Sequence, residues 1–166
     1  MTASKSGALP ATGGKHKRNR VPLEQRRRAR RLILQALYQW LLSENDPLDI
    51  AAQFHADTHG KVDWEYFDAL FLDIPKQIEL LDQHLHPRLD RAPTALDPIE
   101  KAALYLGCYE LANRIDVPYR VVINECVELA KVFGATDSHK YINGVLDKLV
   151  PELRAIEWAA KRQPQA

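Results

Sequence analysis

From residue 23 onward apolar side chains recur every three or four positions with polar residues between them, and the strict alternation of a half-buried strand is nowhere sustained. Ile33, Leu37, Trp40 and Leu41 stand at i, i+4, i+7 and i+8, which predicts a helix over 23–43 that ends at Asn45-Asp46-Pro47. A short helix follows over 47–56, with Ile50 and Phe54 one turn apart. Residues 63–85 carry Trp64, Phe67, Leu70, Phe71, Ile74, Ile78 and Leu81 at helical spacing. Pro75 falls inside that run; it has no amide hydrogen and crowds the carbonyl four residues back, so a kink or a break into two helices is expected near 71–75.

The second half is more sharply punctuated. Asp97-Pro98-Ile99-Glu100 combines a capping carboxylate, a proline at the first helical position and a glutamate three residues after the cap, and it predicts a helix running to about 114. Asp116-Val117-Pro118 reads as a tight joint. The next helix uses Val122, Cys126, Leu129 and Phe133 and is expected to stop at a left-handed Gly134. Asp137 is then expected to cap a helix with Tyr141, Val145 and Leu149 on its apolar side, and Pro151 to end or restart it. A last helix over 152–162 would bear Leu153, Ile156 and Trp158. The pattern predicts an all-α protein of seven to eight helices, with a flexible basic arm over 1–22 and one helical domain over 23–162. That domain divides into bundles at about 23–86 and 88–162.

Charge changes the picture. Residues 1–31 contain ten Lys or Arg and one acid, Glu24, for a formal +9, while residues 32–166 hold 13 basic and 21 acidic side chains, or −8. The net charge of +1 therefore conceals a dipolar molecule of the kind that meets a polyanion at one end. Arg26, Arg27, Arg28, Arg30 and Arg31 lead directly into the first helix, so a folded element holds them. No apolar run reaches the eighteen residues of a membrane span, and the first twenty residues lack a signal-peptide core, which predicts a cytoplasmic protein.

Other chemistry is sparse. Cys108 and Cys126 fall at apolar helical positions without metal-ligand spacing and read as reduced core thiols. His55, Asp57 and His59 straddle a polar turn closed by Gly60 and lack a fourth ligand, and His84 and His86 read as helix-end partners. Ser138-His139 has no third group at a recognisable spacing, so no catalytic residue, metal or cofactor is expected.

One set of motifs carries a resemblance. Arg26-Arg27-Arg28-Ala29-Arg30 with Gln35-Ala36-Leu37-Tyr38-Gln39-Trp40 is followed by Asp97-Pro98-Ile99-Glu100, Tyr109-Glu110-Leu111, Asp116-Val117-Pro118 and Val122-Ile123-Asn124-Glu125. Phe133-Gly134 and the run Asp137-Ser138-His139-Lys140-Tyr141-Ile142-Asn143-Gly144-Val145-Leu146-Asp147-Lys148 complete it. In this order the motifs resemble the NusB family of bacterial transcription antitermination factors, over roughly 26–154. The resemblance implies two small helical bundles packed across each other and no catalytic activity. It also implies binding of the boxA element of ribosomal RNA leader transcripts as single-stranded RNA, pairing with the small-subunit ribosomal protein NusE, and association with the RNA polymerase elongation complex alongside other Nus factors.

The same resemblance implies RNA-binding roles for Arg26, Arg27, Arg28, Arg30, Asp137, Ser138, Lys140 and Tyr141. It places Tyr38 and Glu100 near the NusE surface. Read from the residues alone, Asp137 serves equally as a pure helix cap, Tyr141 as a pure core residue and Tyr38 as a boundary tyrosine. The long basic arm, with Lys15, Lys17, Arg18 and Arg20, departs from the family pattern and adds nonspecific phosphate attraction. The alternative is a general basic RNA-binding or membrane-surface helical module, which an amphipathic basic helix with exposed aromatics would favour.

Overall fold

The computed structural model describes residues 21–162, so the expectation for an N-terminal arm lies almost wholly outside the described residues. Among them are eight α-helices and three short 3-10 turns: α1 (Leu23–Ser43), α2 (Pro47–Asp57), α3 (Trp64–Asp73), α4 (Ile78–Leu85), α5 (Pro98–Asn113), α6 (Tyr119–Phe133), α7 (Ser138–Leu153) and α8 (Ala155–Arg162). None of these helices is long and apolar enough to cross a membrane.

The 63–85 run breaks in two. A 3-10 turn over Ile74–Gln77 replaces regular α-helix around Pro75, whose missing amide hydrogen leaves one carbonyl of the preceding turn without its helical donor. Asp97 and Glu100 form a complete capping box: the Glu100 amide donates to Asp97 Oδ1 at 2.8 Å, and the Asp97 amide donates to Glu100 Oε1 at 3.2 Å.

Helix α5 is the central element, packed on α1, α4, α6 and α7. Ten of its residues are buried, from Glu100 round to Leu111, so it has no solvent face of the usual width. Gly107 is what allows that closeness: a β-carbon there would lie 2.7 Å from Leu146 Cδ1 and 3.1 Å from Cys126 Sγ. Around α5 one continuous core runs from Ile33, Leu37, Phe67 and Phe71 to Val122, Ile142 and Leu149. Cys108 and Cys126 are buried free thiols within it, and burial pushes the Cys108 thiol up to about 12.

Three boundary expectations require correction. Gly134 is extended (φ −92°, ψ 173°) rather than left-handed. It is needed for closeness, since a β-carbon would meet the Ala130 carbonyl oxygen at 2.7 Å and Ser138 Cβ at 3.0 Å. Helix α7 runs through Pro151 and breaks three residues later. There Arg154 turns inward, its guanidinium donating to the carbonyls of Leu111 (2.7 Å), Val117 (2.8 Å), Glu110 (3.1 Å) and Arg114 (2.7 Å). These are carbonyls at the C-terminal end of α5 and in the joint after it, so the break in one helix caps another. In α8, Ile156 is 89% exposed, while Trp158 packs against the core.

Candidate nucleic-acid interface

A helix turns about 100° per residue, so five arginines in six positions cannot face one way. Arg26 and Arg30, four residues apart, lie on the side of α1 that meets α3 and α5, whereas Arg27 and Arg31 share the opposite, outward edge. The arginine cluster is thus divided by helical phase into an inner and an outer pair.

Arg30 is the buried member of the cluster. Its side chain is 1% exposed, and Nε reaches both oxygens of Glu110 at 2.9 and 3.2 Å while Nη2 reaches Oε2 at 3.0 Å. The Tyr66 hydroxyl donates to the same carboxylate at 2.6 Å. Burial opposes the charge on Arg30, but the hydrogen bonds and charge of Glu110 outweigh it and hold the guanidinium above the ordinary arginine range. Such an arginine holds α1, α3 and α5 together and is not available to an external phosphate. The apolar side of α1 begins at Ala29 and Arg30, a turn before Ile33.

Arg26 is intermediate. Its Nε pairs with the buried Asp63 carboxylate at 3.2 Å, and its guanidinium lies 4.3 Å from the Tyr66 ring centroid. Arg28 donates to the carbonyls of His59 and Lys61. Gly60 lies against it with φ +88°, and a β-carbon there would fall 2.7 Å from Arg28 Nη1, so the glycine meets both a backbone and a space requirement. The same loop leads to His55, whose ring stacks on Trp64 at 3.9 Å and meets Asp68 at 2.8 Å.

Arg27 is the outward member: its side chain is 56% exposed, with Nε held by Glu125 at 2.9 Å. Together with Arg31 it lines an open groove of about 350 Å³ against Glu125, Glu128, Leu129 and Val132 of α6. Arg31 is thus the residue of the cluster whose position the helical phase alone could have singled out, four residues beyond Arg27.

At the start of α7 the expected set also divides. Asp137 occupies the capping position, but its side chain makes no capping hydrogen bond. It is exposed and meets Lys140 at 3.4 Å, with both side chains more than 70% exposed. Ser138 is largely buried, 6% exposed, and packs against Gly134. Tyr141 is half-buried, its hydroxyl inside the protein and without a hydrogen-bond partner among the described residues. Its ring carries the Arg91 guanidinium at 3.8 Å.

Of the two residues expected at a protein partner, Tyr38 is 38% exposed on α1, with Leu42, 59% exposed, one turn beyond it. Glu100 is 5% exposed, with Oε1 in the α5 capping box and Oε2 3.7 Å from Arg91 Nη1.

The sequence model of the NusB family matches residues 27–151. The chain is 51% identical over 142 residues to the transcription antitermination protein NusB of Ralstonia nicotianae, covering 85% of this chain and 92% of that protein. It is 56% identical over 141 residues to the protein of the same name from Alcanivorax borkumensis, covering 84% and 93%. Among solved structures it resembles T. maritima NusB with a TM-score of 0.69 at 26% identity, over 80% of this chain and 92% of that one. It also resembles a chain of a crystal structure of the antitermination factors NusB and NusE in complex with double-stranded RNA, with a TM-score of 0.69 at 25% identity, over 77% and 97%. An all-helical chain with this motif order, this fold and this extent of identity belongs to the NusB family.

Proposed function

We propose that this protein is a transcription antitermination factor that binds boxA-type single-stranded RNA together with NusE and joins the RNA polymerase elongation complex during ribosomal RNA transcription, in the cytoplasm. The observation that carries this reading is identity of about half the residues, over most of both chains, to proteins named transcription antitermination protein NusB. Likeness to a chain from a crystal structure of NusB and NusE with double-stranded RNA supports NusE and RNA as partners.

In this reading the RNA lies along the outward edge of α1 and reaches the exposed turn before α7. Arg27 supplies phosphate-binding charge together with Arg31, and Arg26 and Arg28 add to the local positive potential while held in place. Lys140 is a second cation, Asp137 offers an acceptor to base edges, and the Tyr141 region offers a stacking surface. NusE would meet the apolar strip of Tyr38 and Leu42, on a separate stretch of α1. Nothing in this arrangement is catalytic; the protein acts by binding.

A single strand is favoured because its bases can splay towards side chains, whereas the deep major groove of an RNA duplex hides them. Fluorescence anisotropy with a boxA-type single strand, the same sequence as a duplex and an unrelated single strand, each with and without NusE, tests the reading. Tightest binding to the boxA-type single strand in the presence of NusE is expected. Equal affinity for all three probes under both conditions would reduce the protein to a general basic module.

A further inference from the structure

Arg91 lies in the connector between α4 and α5, outside every motif that suggested RNA contact, yet its guanidinium sits over the ring of Tyr141 at 3.8 Å. Asp90 and Glu100 flank it, with Oδ1 at 3.6 Å from Nε and Oε2 at 3.7 Å from Nη1. These distances exceed those of hydrogen bonds, so the carboxylates orient and offset the cation without occupying its donors. The Arg91 side chain is 41% exposed, whereas that of Glu100 is 7% exposed and fixed by the capping box.

The Tyr141 hydroxyl is buried and the guanidinium covers a face of the ring, so a base approaching that face meets Arg91 first. A guanidinium is planar, stacks on both of its faces and serves as well as an aromatic ring to support an unstacked base. Two neighbouring carboxylates leave little net charge, which suits a base more than a phosphate. The Arg91–Tyr141 contact is already made, so little side-chain freedom is lost when a base is added over it.

We propose that Arg91 and Tyr141 form a two-layer platform on which one nucleobase of a single-stranded RNA stacks, the Arg91 guanidinium being the layer that touches the base. This rests on the RNA-binding reading above and adds to it a residue and a mode of contact. Arg91 is a contact residue here; Tyr141 and Glu100 position it.

The test uses the full chain with NusE and a boxA-type single strand in which one base at a time is replaced by 2-aminopurine, whose fluorescence falls when it stacks. The unaltered protein should quench the probe at one position. Arg91→Ala should abolish that quenching and weaken binding about tenfold. The salt dependence should stay unchanged, since every phosphate keeps its cation. Arg91→Lys should behave like Arg91→Ala, because the charge survives and the plane does not. Arg91 is exposed on a connector, so helicity by circular dichroism should be the same in every variant.

Full affinity and quenching in Arg91→Ala, or their recovery in Arg91→Lys, would overturn the platform. A reduced salt slope in Arg91→Ala would also overturn it, by making Arg91 a phosphate ligand. If the unaltered protein binds none of the single strands, the RNA-binding reading itself falls and the platform falls with it.

Discussion

Arg30 and Glu110, eighty positions apart in the chain, meet in a buried ion pair in which the arginine is 1% and the glutamate 0% exposed. The Tyr66 hydroxyl closes the group from α3, so three helices share one polar knot inside an otherwise apolar core. Removing one member strands a charge in a medium that cannot solvate it. Arg30→Ala should therefore lower unfolding stability by about 3–5 kcal/mol. Replacing the whole knot with Arg30→Met, Glu110→Leu and Tyr66→Phe should cost much less, because no polar group is left unpaired. Urea denaturation of both variants decides this; a loss below about 1 kcal/mol in Arg30→Ala would mean that water reaches the site.

The outward arginines should behave in the opposite way. Arg27→Ala with Arg31→Ala should leave helicity intact and weaken RNA binding, reducing the slope of log affinity against log salt by about 1.4, or roughly 0.7 for each phosphate deprived of its arginine. Removal of the exposed Arg27–Glu125 pair should matter little to stability. Anisotropy titrations across a salt series measure the slope, and an unchanged value would place the RNA elsewhere on the protein.

Tyr38 tests the partner surface separately. Tyr38→Asp places a carboxylate on the exposed strip with Leu42, where NusE binding would desolvate it without a counter-charge. The cost should be several kcal/mol, on the order of a thousandfold in affinity. Calorimetric titration with NusE should show that loss while binding to RNA alone is largely retained. Intact NusE binding would make Tyr38 a packing residue only.

Acid stability has an identifiable contributor in Glu157. Burial works against its charge, but the Tyr119 amide at 3.0 Å and the Arg154 guanidinium at 2.7 Å outweigh it and hold the carboxyl below the ordinary glutamate range. The folded state therefore binds fewer protons here than the unfolded chain. Its contribution is present above about pH 4.3, the unfolded value, and is lost as pH falls through the lower folded value. Glu157→Gln should flatten the acid limb of a plot of melting temperature against pH. Part of the limb should remain, because Arg114 holds Asp116 below its ordinary range in the same way. An identical acid limb in the variant would exclude Glu157 as a source.

Periodicity, punctuation and capping are local properties, and they determined most of the helical framework. The apolar spacing from Ile33 to Leu41, the break at Pro75 and the Asp97/Glu100 capping box all depend on residues within a turn or two of one another, and each appears where the chain pattern placed it. The motif order was likewise sufficient to identify the family. What each arginine does was decided by packing. Arg27 and Arg30 belong to the same basic run, but helical phase turns one towards solvent and the other towards Glu110, and no local signal announces a carboxylate eighty residues away. Within the candidate surface, Glu100 is tied to its own capping box and Ser138 packs against Gly134, and both placements depend on packing. Arg91 entered it because a connector without periodicity folds over Tyr141. A sequence records which residues can form helices, but exposure and charge pairing depend on which faces meet, and only the assembled core decides that.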